Sequence, residues 1–139
     1  MQLTRHTDYS LRVLTYLALR PDEMTTIAGI AAALNINKNH LIKVVNNLSR
    51  LGYIETTRGR GGGIRLARAP ERIKVGEIVR LTENTLDAIN CTEPHCPILP
   101  GCQLKGALKE ATDAFLGVLD SYSVADLVGR RSKLIQLLG

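Results

Sequence analysis

The segment TIAGIAAALNINKNHLIKVVNNLSR, residues 26–50, contains two short amphipathic patterns separated by a polar turn. Apolar residues recur at helical spacing in both halves: Ile27, Ile30, Ala31 and Leu34 in the first, and Leu41, Val44, Val45 and Leu48 in the second. Thr25 or Thr26 is the expected cap of the first helix and Asn37 that of the second. Two short helices joined by a three-residue turn predict a helix-turn-helix.

The second helix of this motif presents a polar face that suits DNA. Its outward side chains are neutral or positive and none is acidic: Asn39, His40, Lys43, Asn46, Asn47 and Arg50, with Lys38 at the start. Asparagine can pair with adenine in the major groove, while lysine can reach guanine or a phosphate. A solvated amphipathic helix is the alternative interpretation of this face. The candidate DNA contacts on this helix are Lys38, Asn39, His40, Lys43, Asn46 and Arg50. In such motifs the first turn is the part that reads base edges.

A glycine-rich hairpin is predicted immediately after the motif. Residues 53–57 and 64–67 alternate like half-buried strands, and RGRGGG at 58–63 joins them. Arg58 and Arg60 at the tip suit a narrow minor groove or the flanking phosphates. A nucleotide-binding glycine loop is excluded by context, because the run precedes a strand and no Gly-Lys-Ser/Thr follows. The pattern predicts a mainly α fold with a small β-hairpin: a winged helix-turn-helix DNA-binding domain plus a long dimerisation helix.

The positive charge is concentrated in the same half of the chain. Residues 1–82 hold thirteen Lys and Arg against six Asp and Glu, whereas residues 83–139 hold five against seven. A basic half of this kind indicates a polyanionic partner. The same half holds two more predicted helices, one from about Tyr9 to Leu19 with Thr7 or Asp8 as its cap, and one from Val75 to Thr82. His6 is interpreted as part of an N-terminal arm.

Cys91, Cys96 and Cys102 are the three cysteines of the chain, and they share one loop punctuated by prolines. Three thiols cannot all form intrachain disulfides, so the cluster indicates a metal or iron-sulfur site that needs a further ligand. Structural zinc with a histidine, or free buried thiols, are the alternatives, although zinc sites usually contain a shorter Cys-x2-Cys pair. With no signal peptide or membrane-length apolar run in the sequence, we expect a cytoplasmic protein whose thiols stay reduced.

The sequence after the cysteines predicts helices that assemble the protein. Apolar residues recur at steps of four and three: Leu104, Leu108, Ala111, Phe115, Val118 and Tyr122. This seam fits either a homodimer contact or a helix packed on its own core, and we interpret it as the dimer contact. Residues 123–126 resemble a capping box that opens one final helix reaching Leu134–Leu138. The expected organisation is a DNA-binding domain at 1–82, a cluster loop at 83–103 and a dimerisation region at 104–139.

The opening LTRHTDYSLR at 3–12, the helix-turn-helix, the RGRGGG wing and the spaced cysteines together resemble the bacterial iron-sulfur winged-helix repressors. The resemblance implies that the cysteines hold a 2Fe-2S or 4Fe-4S cluster. In the nitric-oxide-sensing branch, a carboxylate near the N-terminus is thought to complete the cluster from the other protomer, a role that falls here on Asp8. Without the resemblance, Asp8 would be interpreted as a helix cap.

Two local features separate the branches of this family. The cluster-biogenesis branch has five residues in each gap between its cysteines and a histidine three residues after the last. Here the first gap has four residues and position 105 is Lys. This departure favours the nitric-oxide-sensing branch.

The resemblance implies a homodimeric repressor that binds a palindromic operator and releases it when nitric oxide reaches the cluster, so that nitrosative-stress genes are expressed. A regulator that senses cluster or redox status is the alternative within the family. An electron-transfer or cluster-carrier module is the alternative of another class. No grouping of residues in the sequence indicates an enzyme.

Overall fold

A computed structural model describes residues 2–139. Its helices and strands follow one another along the chain as α1 (Arg5–Leu19), α2 (Ile27–Leu34), α3 (Lys38–Arg50), β1 (Ile54–Thr57), β2 (Gly63–Leu66), α4 (Val75–Thr82), α5 (Gln103–Asp120), α6 (Val124–Leu127) and α7 (Arg131–Leu138). One-turn 3-10 helices lie at Pro70–Arg72 and Leu99–Gly101. This mainly helical architecture with one hairpin confirms the predicted fold class. None of the helices within residues 2–139 is long and apolar enough to cross a membrane.

Helix α1 begins earlier than its apolar pattern predicts. Its N-cap is Thr4, whose hydroxyl accepts a hydrogen bond from the backbone nitrogen of Thr7 at 3.3 Å. The prediction of Thr7 or Asp8 as the cap is therefore wrong, because both lie inside the first turns of the helix and the Thr7 side chain is fully buried. The helix contacts α2, α3, α4, α6 and β2, which places it at the centre of the molecule.

The helix-turn-helix forms as predicted. The Thr26 hydroxyl accepts from the backbone nitrogen of Gly29 at 3.0 Å, and Asn37 Oδ1 accepts from the nitrogens that open α3. Between the helices Asn35 adopts a left-handed conformation with φ 53°, which asparagine tolerates better than most residues. Ile36 is buried beneath the turn. All four predicted inward residues of α3 are buried: Leu41, Val44, Val45 and Leu48.

The predicted wing is a two-stranded antiparallel hairpin in which Ile54 pairs with Leu66 and Thr57 with Gly63. A further bridge between Thr25 and Ile64 joins the hairpin to the chain just before α2. Gly63 has a φ of 155°, and a Cβ there would lie 2.7 Å from the carbonyl oxygen of Thr25. Glycine at this position therefore lets the wing pack directly against the helix-turn-helix.

The C-terminal third differs from the prediction in two respects. The capping box at Ser123 and Asp126 forms, but it opens a one-turn helix that ends at Leu127. A separate helix, α7, follows after Gly129, a residue that favours termination over continuation of a helix. Helix α5 ends at Asp120, so Tyr122, the last residue of the predicted seam, lies beyond the helix.

Helix α4 packs closely against α5 where Gly76 faces Asp120. A Cβ at Gly76 would overlap the Asp120 side chain and lie 3.0 Å from the Asp120 backbone nitrogen, whereas a Cβ at Gly106, on an open face of α5, would have no neighbour within 4 Å. We therefore expect Gly76→Ala to lower the free energy of unfolding by about 1–3 kcal/mol through overpacking. Gly106→Ala should raise it by about 0.5–1 kcal/mol through helix propensity. Urea unfolding of both variants measures the contrast, and equal effects at the two positions would contradict this packing.

Candidate functional site

Five of the six predicted contacts on α3 are exposed: Lys38, Asn39, Lys43, Asn46 and Arg50. No carboxylate of residues 2–139 forms an ion pair with the three bases among them. The sixth, His40, is partly buried, and its ring meets the Tyr9 ring edge-on with 4.8 Å between centroids. The structure thus places a positive, unneutralised surface along α3, with His40 at its margin against α1.

The wing carries Arg58 and Arg60 at its exposed tip, between β1 and β2. Arg65 and Glu55 form an ion pair across the strands, which holds the hairpin together below the tip. The tip arginines are therefore displayed by a hairpin whose register is fixed.

Arg68 anchors the base of the wing, a role that the sequence analysis missed. Its guanidinium lies 4.3 Å from the centroid of the Tyr53 ring, and its Nε donates to the carbonyl oxygen of Gly52, just past α3, at 3.2 Å. The Tyr53 hydroxyl donates to Glu77 of α4, and burial together with this carboxylate raises the pKa of Tyr53 to about 12. Arg68 therefore links the wing to the residue just past α3 and, through Tyr53, to α4.

His6 and Asn47 form a second contact between α1 and α3. Asn47 Nδ2 lies 3.0 Å from His6 Nε2, and Asn47 Oδ1 accepts from Arg50 Nη2 at 2.6 Å. Burial and the neighbouring His40 lower the pKa of His6, against an opposing effect of Glu83, which favours the neutral ring that can accept a hydrogen bond.

Two sequence interpretations change at this contact. Asn47 is half-buried and is not a free outward residue, and His6 belongs to α1 and not to an arm. The signal that could have identified His6 is its spacing of four and seven residues from the buried Ser10 and Val13.

Glu83, at the start of the cysteine loop, clasps the beginning of α1. Its carboxylate accepts from the Thr4 backbone nitrogen at 3.1 Å, from the Thr4 hydroxyl and from the Thr7 hydroxyl. Thr82 donates to the same Thr7 hydroxyl at 2.8 Å. A carboxylate at a helix N-terminus also complements the helix dipole. Partial burial raises the pKa of Glu83, but the hydrogen bonds from Thr4 and Thr7 outweigh it and leave the pKa below its ordinary value.

The cysteine loop is irregular from Glu83 to Cys102 except for the 3-10 turn at Leu99–Gly101, and all three thiols are half-buried and free of disulfides. Backbone hydrogen bonds close successive turns within the loop. The Cys96 nitrogen donates to the Cys91 carbonyl oxygen at 3.2 Å, and the Cys102 nitrogen donates to the Leu99 carbonyl oxygen at 3.3 Å. Cys91 also borders a cavity of about 590 Å³ between the loop and α5, which Lys105 and Asp113 line as well. The loop thus presents three accessible soft donors of the kind that iron-sulfur clusters take.

The donor set fits an iron-sulfur cluster by its chemistry, but one chain does not gather a complete set of ligands. Within residues 2–139, no three of the His, Cys, Asp and Glu side chains converge at metal-binding distances. Asp8 lies in the first turn of α1 with its side chain 40% exposed, and its Oδ1 accepts from Arg12 Nε at 2.8 Å. A complete site therefore requires the loop to close around the cluster, a donor from another protomer, or both.

A helix-turn-helix with an unneutralised basic face, followed by an anchored basic wing, defines a winged-helix DNA-binding protein. Residues 3–130 match the family model Rrf2, described as an iron-dependent transcriptional regulator. The chain belongs to the Rrf2 family of transcriptional regulators, which is a family of DNA-binding proteins and not of enzymes or electron carriers. Iron dependence is part of the description of that family.

Individual relatives agree with this assignment. The chain is 50% identical over 142 residues to the HTH-type transcriptional regulator NsrR of Bacillus subtilis (strain 168), covering 99% of this chain and 97% of the relative. It is 51% identical to NsrR of Geobacillus kaustophilus (strain HTA426) with the same coverage. The function is thus that of an NsrR-type transcriptional regulator, as the sequence resemblance predicted.

Solved structures share the fold. The global cysteine regulator CymR of B. subtilis superposes with a TM-score of 0.75 at 25% identity, covering 94% of this chain and 98% of CymR. IscR of T. potens superposes with a TM-score of 0.76 at 24% identity, covering 92% of this chain and 86% of IscR. The IscR likeness concerns the fold alone.

The hydrogen bonds that Glu83 accepts from Thr4 and Thr7 predict a stability that depends on pH. Because the pKa of Glu83 is lower in the folded chain than in the unfolded one, its contribution is complete above the unfolded-state pKa and disappears as the pH falls through the folded-state pKa. We expect Glu83→Gln to lower the free energy of unfolding by about 1–3 kcal/mol at neutral pH, and the difference from wild type to shrink on acidification. Urea unfolding measures this difference from neutral pH down through the folded-state pKa of Glu83. Glu110→Gln, an exposed change on α5, should match wild type throughout, and a Glu83→Gln deficit that stays constant with pH would contradict the assignment.

Proposed function

We propose that this regulator is a nitric-oxide-sensitive repressor, which binds a palindromic operator as a homodimer in the cytoplasm while it carries an iron-sulfur cluster. The observation that carries the proposal is the position of the cysteine loop. Its first residue, Glu83, clasps the first turn of α1, and the same turn contacts the reading helix α3 through His6 and Tyr9. The relatives named NsrR, which match the whole chain, support the choice of signal.

The DNA contacts are assigned to α3 and the wing. Side chains at the beginning of α3 read base edges, and those further along contact bases or phosphates: Lys38, Asn39, His40, Lys43, Asn46 and Arg50. Arg58 and Arg60 of the wing bind the adjacent minor groove or its phosphates. The absence of ion-pair partners for the α3 bases within residues 2–139 supports this assignment, because no internal salt bridge must break before DNA is bound.

The homodimer is assigned to the outer face of α5. Leu104 and Val118 are 58% and 60% exposed, although they belong to an apolar seam, and Tyr122 just beyond the helix is 48% exposed. Apolar side chains that are aligned and left uncovered on one helix are typical of an interface. A two-fold dimer would place two α3 helices about one turn of DNA apart, so the operator is a palindrome.

The thiolates of Cys91, Cys96 and Cys102 are the proposed ligands of a 4Fe-4S or 2Fe-2S cluster, with Asp8 as the fourth ligand, contributed by the partner protomer. When bound, the cluster supplies iron that a small neutral molecule such as nitric oxide can ligate. Carboxylate oxygen is a poorer match than thiolate for such iron, which makes the Asp8 position the weakest of the four. Asp8 must give up its hydrogen bond from Arg12 before it can bind the cluster, so Arg12 competes with the cluster for this carboxylate.

The chain itself transmits the signal through the loop and α1. Ligation by three cysteines holds a loop that otherwise buries few side chains, and it thereby fixes Glu83 against Thr4 and Thr7. Release of the thiolates lets the loop relax and loosens the turn of α1 on which α3 rests. A hundredfold loss of operator affinity corresponds to about 2.7 kcal/mol of coupling, within the usual range for allosteric sites.

Removal of one thiolate tests the cluster assignment. Cys91→Ala and Cys102→Ala should purify anaerobically without iron and sulfide, because the proposed cluster needs all three thiolates of the loop. Both variants should bind operator DNA at least tenfold more weakly than wild type. Elemental analysis measures the iron and sulfide content, and fluorescence anisotropy measures the affinity for operator DNA. Thr92→Ala, an exposed change in the same loop, should keep iron and affinity. Iron content that is unchanged in the cysteine variants would contradict the proposal.

Asp8 and Arg12 offer a matched pair for the fourth ligand. Both Asp8→Ala and Arg12→Ala break the ion pair on α1, but only Asp8→Ala removes the proposed ligand. We therefore expect faster cluster loss on exposure to nitric oxide or air in Asp8→Ala, and equal or slower loss in Arg12→Ala, measured as the decay of cluster absorbance. Equal acceleration in the two variants would show that the ion pair, and not ligation, is the role of Asp8.

A further inference from the structure

The first turn of α1 touches the reading helix α3 at two separate places. Near the beginning of α3, the Tyr9 ring packs edge-on against His40. Near its end, Asn47 hydrogen-bonds to His6 over 3.0 Å. His6 and Tyr9 lie about one turn apart on α1, so a single turn of helix supports most of the length of α3. The contact at Asn47 continues to a further side chain assigned to DNA, that of Arg50.

Asn47 connects His6 to Arg50 through the two ends of its amide. Arg50 Nη2 donates to Asn47 Oδ1 at 2.6 Å. A guanidinium has donors only, so the oxygen of the amide must face Arg50 and its NH₂ group must face His6. His6 Nε2 therefore accepts the hydrogen bond from Asn47. Each partner fixes the orientation of the next, because a flip of the Asn47 amide would turn its NH₂ group toward Arg50 and lose that bond.

His6 is itself held by the backbone of α1. Thr4 caps this turn, and the Ser10 hydroxyl donates to the carbonyl oxygen of His6 at 2.6 Å. Glu83 clasps Thr4 from the other side. The chain of bonds that ends at Arg50 therefore begins at the buried Ser10 and at the capped first turn of α1.

Orientation before binding matters for a long side chain such as Arg50. Arg50 is exposed, and its guanidinium donates to the side chain of Asn47. An arginine that is free to sample its rotamers must be ordered when it binds, which weakens an association by roughly three- to tenfold. A side chain already held in place avoids most of this loss.

We propose that His6 and Asn47 are positioning residues for DNA recognition: His6 orients the Asn47 amide, which holds Arg50 in the direction of the DNA before binding. The proposal rests on the proposed function of α3 as the reading helix. It adds to that function two residues that touch no DNA themselves and that give α1 direct influence on one base or phosphate contact.

A double-mutant cycle on the full-length, iron-loaded protein tests the proposal. Operator affinity is measured anaerobically by fluorescence anisotropy, with a labelled duplex that the wild-type protein has enriched from a randomised pool. His6→Leu replaces the ring with an apolar side chain of moderate size that cannot accept a hydrogen bond. This change should weaken binding by roughly three- to tenfold. In the Arg50→Ala background the same change should alter affinity by less than about twofold, because nothing remains to be positioned.

Two further variants separate positioning from general effects. His6→Gln retains an oxygen that can accept from the Asn47 amide and should restore most of the wild-type affinity. Arg131→Ala removes an exposed positive charge on α7, away from this contact, and His6→Leu should weaken binding in its background as much as in wild type.

The outcomes distinguish this proposal from the function on which it rests. Equal weakening by His6→Leu with and without Arg50, His6→Gln binding as poorly as His6→Leu, or Arg50→Ala binding like wild type would each overturn the positioning roles while leaving the protein a DNA-binding repressor. A wild-type protein that enriches no duplex from the pool would overturn the proposed function, and the positioning roles with it.

Discussion

The position of helix α1 is the constraint on which the rest of the structure depends. The helix packs against the helix-turn-helix on one side and against α4 on another, and its first turn is fixed by the Thr4 cap and the Glu83 carboxylate. Because protein interiors are densely packed, a shift of this turn cannot be absorbed locally and must be passed to its neighbours. The first turn of α1 is thus the place where the cysteine loop and the reading helix meet.

The two ends of this connection differ in how they are stabilised. The reading helix rests on a continuous apolar core that includes Leu41 and Leu48, and the wing is anchored by Arg68. Apart from the 3-10 turn at Leu99–Gly101, the cysteine loop has no regular structure, and it has no buried apolar side chain between Glu83 and Cys102. On the proposed function, ligation of its thiols would order the loop, as in other small sites where ligation supplies the energy of folding. A loop of this kind is suited to report the state of a ligand, whereas the DNA-binding part keeps its shape.

The sequence predicted the elements that have strong local signals and failed where long-range contacts decide. Thr26 and Asn37 are caps as expected, and α4 spans Val75–Thr82 as expected, because capping residues and apolar periodicity act within a few residues. The start of α1 was placed too late because Thr7 and Asp8 look like caps locally, whereas the partner that defines the turn is Glu83, far along the chain. Arg68 and His6 were missed for the same reason. The assignments of Asp8 and the three cysteines to a cluster, and of α3 and the wing to DNA, stay predictions.

The most direct test of the account is one titration that follows cluster and DNA together. Anaerobically purified protein, bound to a labelled operator duplex, is titrated with nitric oxide while cluster absorbance and fluorescence anisotropy are recorded on the same sample. The account predicts a coloured, iron-containing protein whose DNA dissociates as the cluster absorbance is lost. A colourless, iron-free protein that binds the operator equally well, or a cluster that is lost without any change in anisotropy, would contradict it.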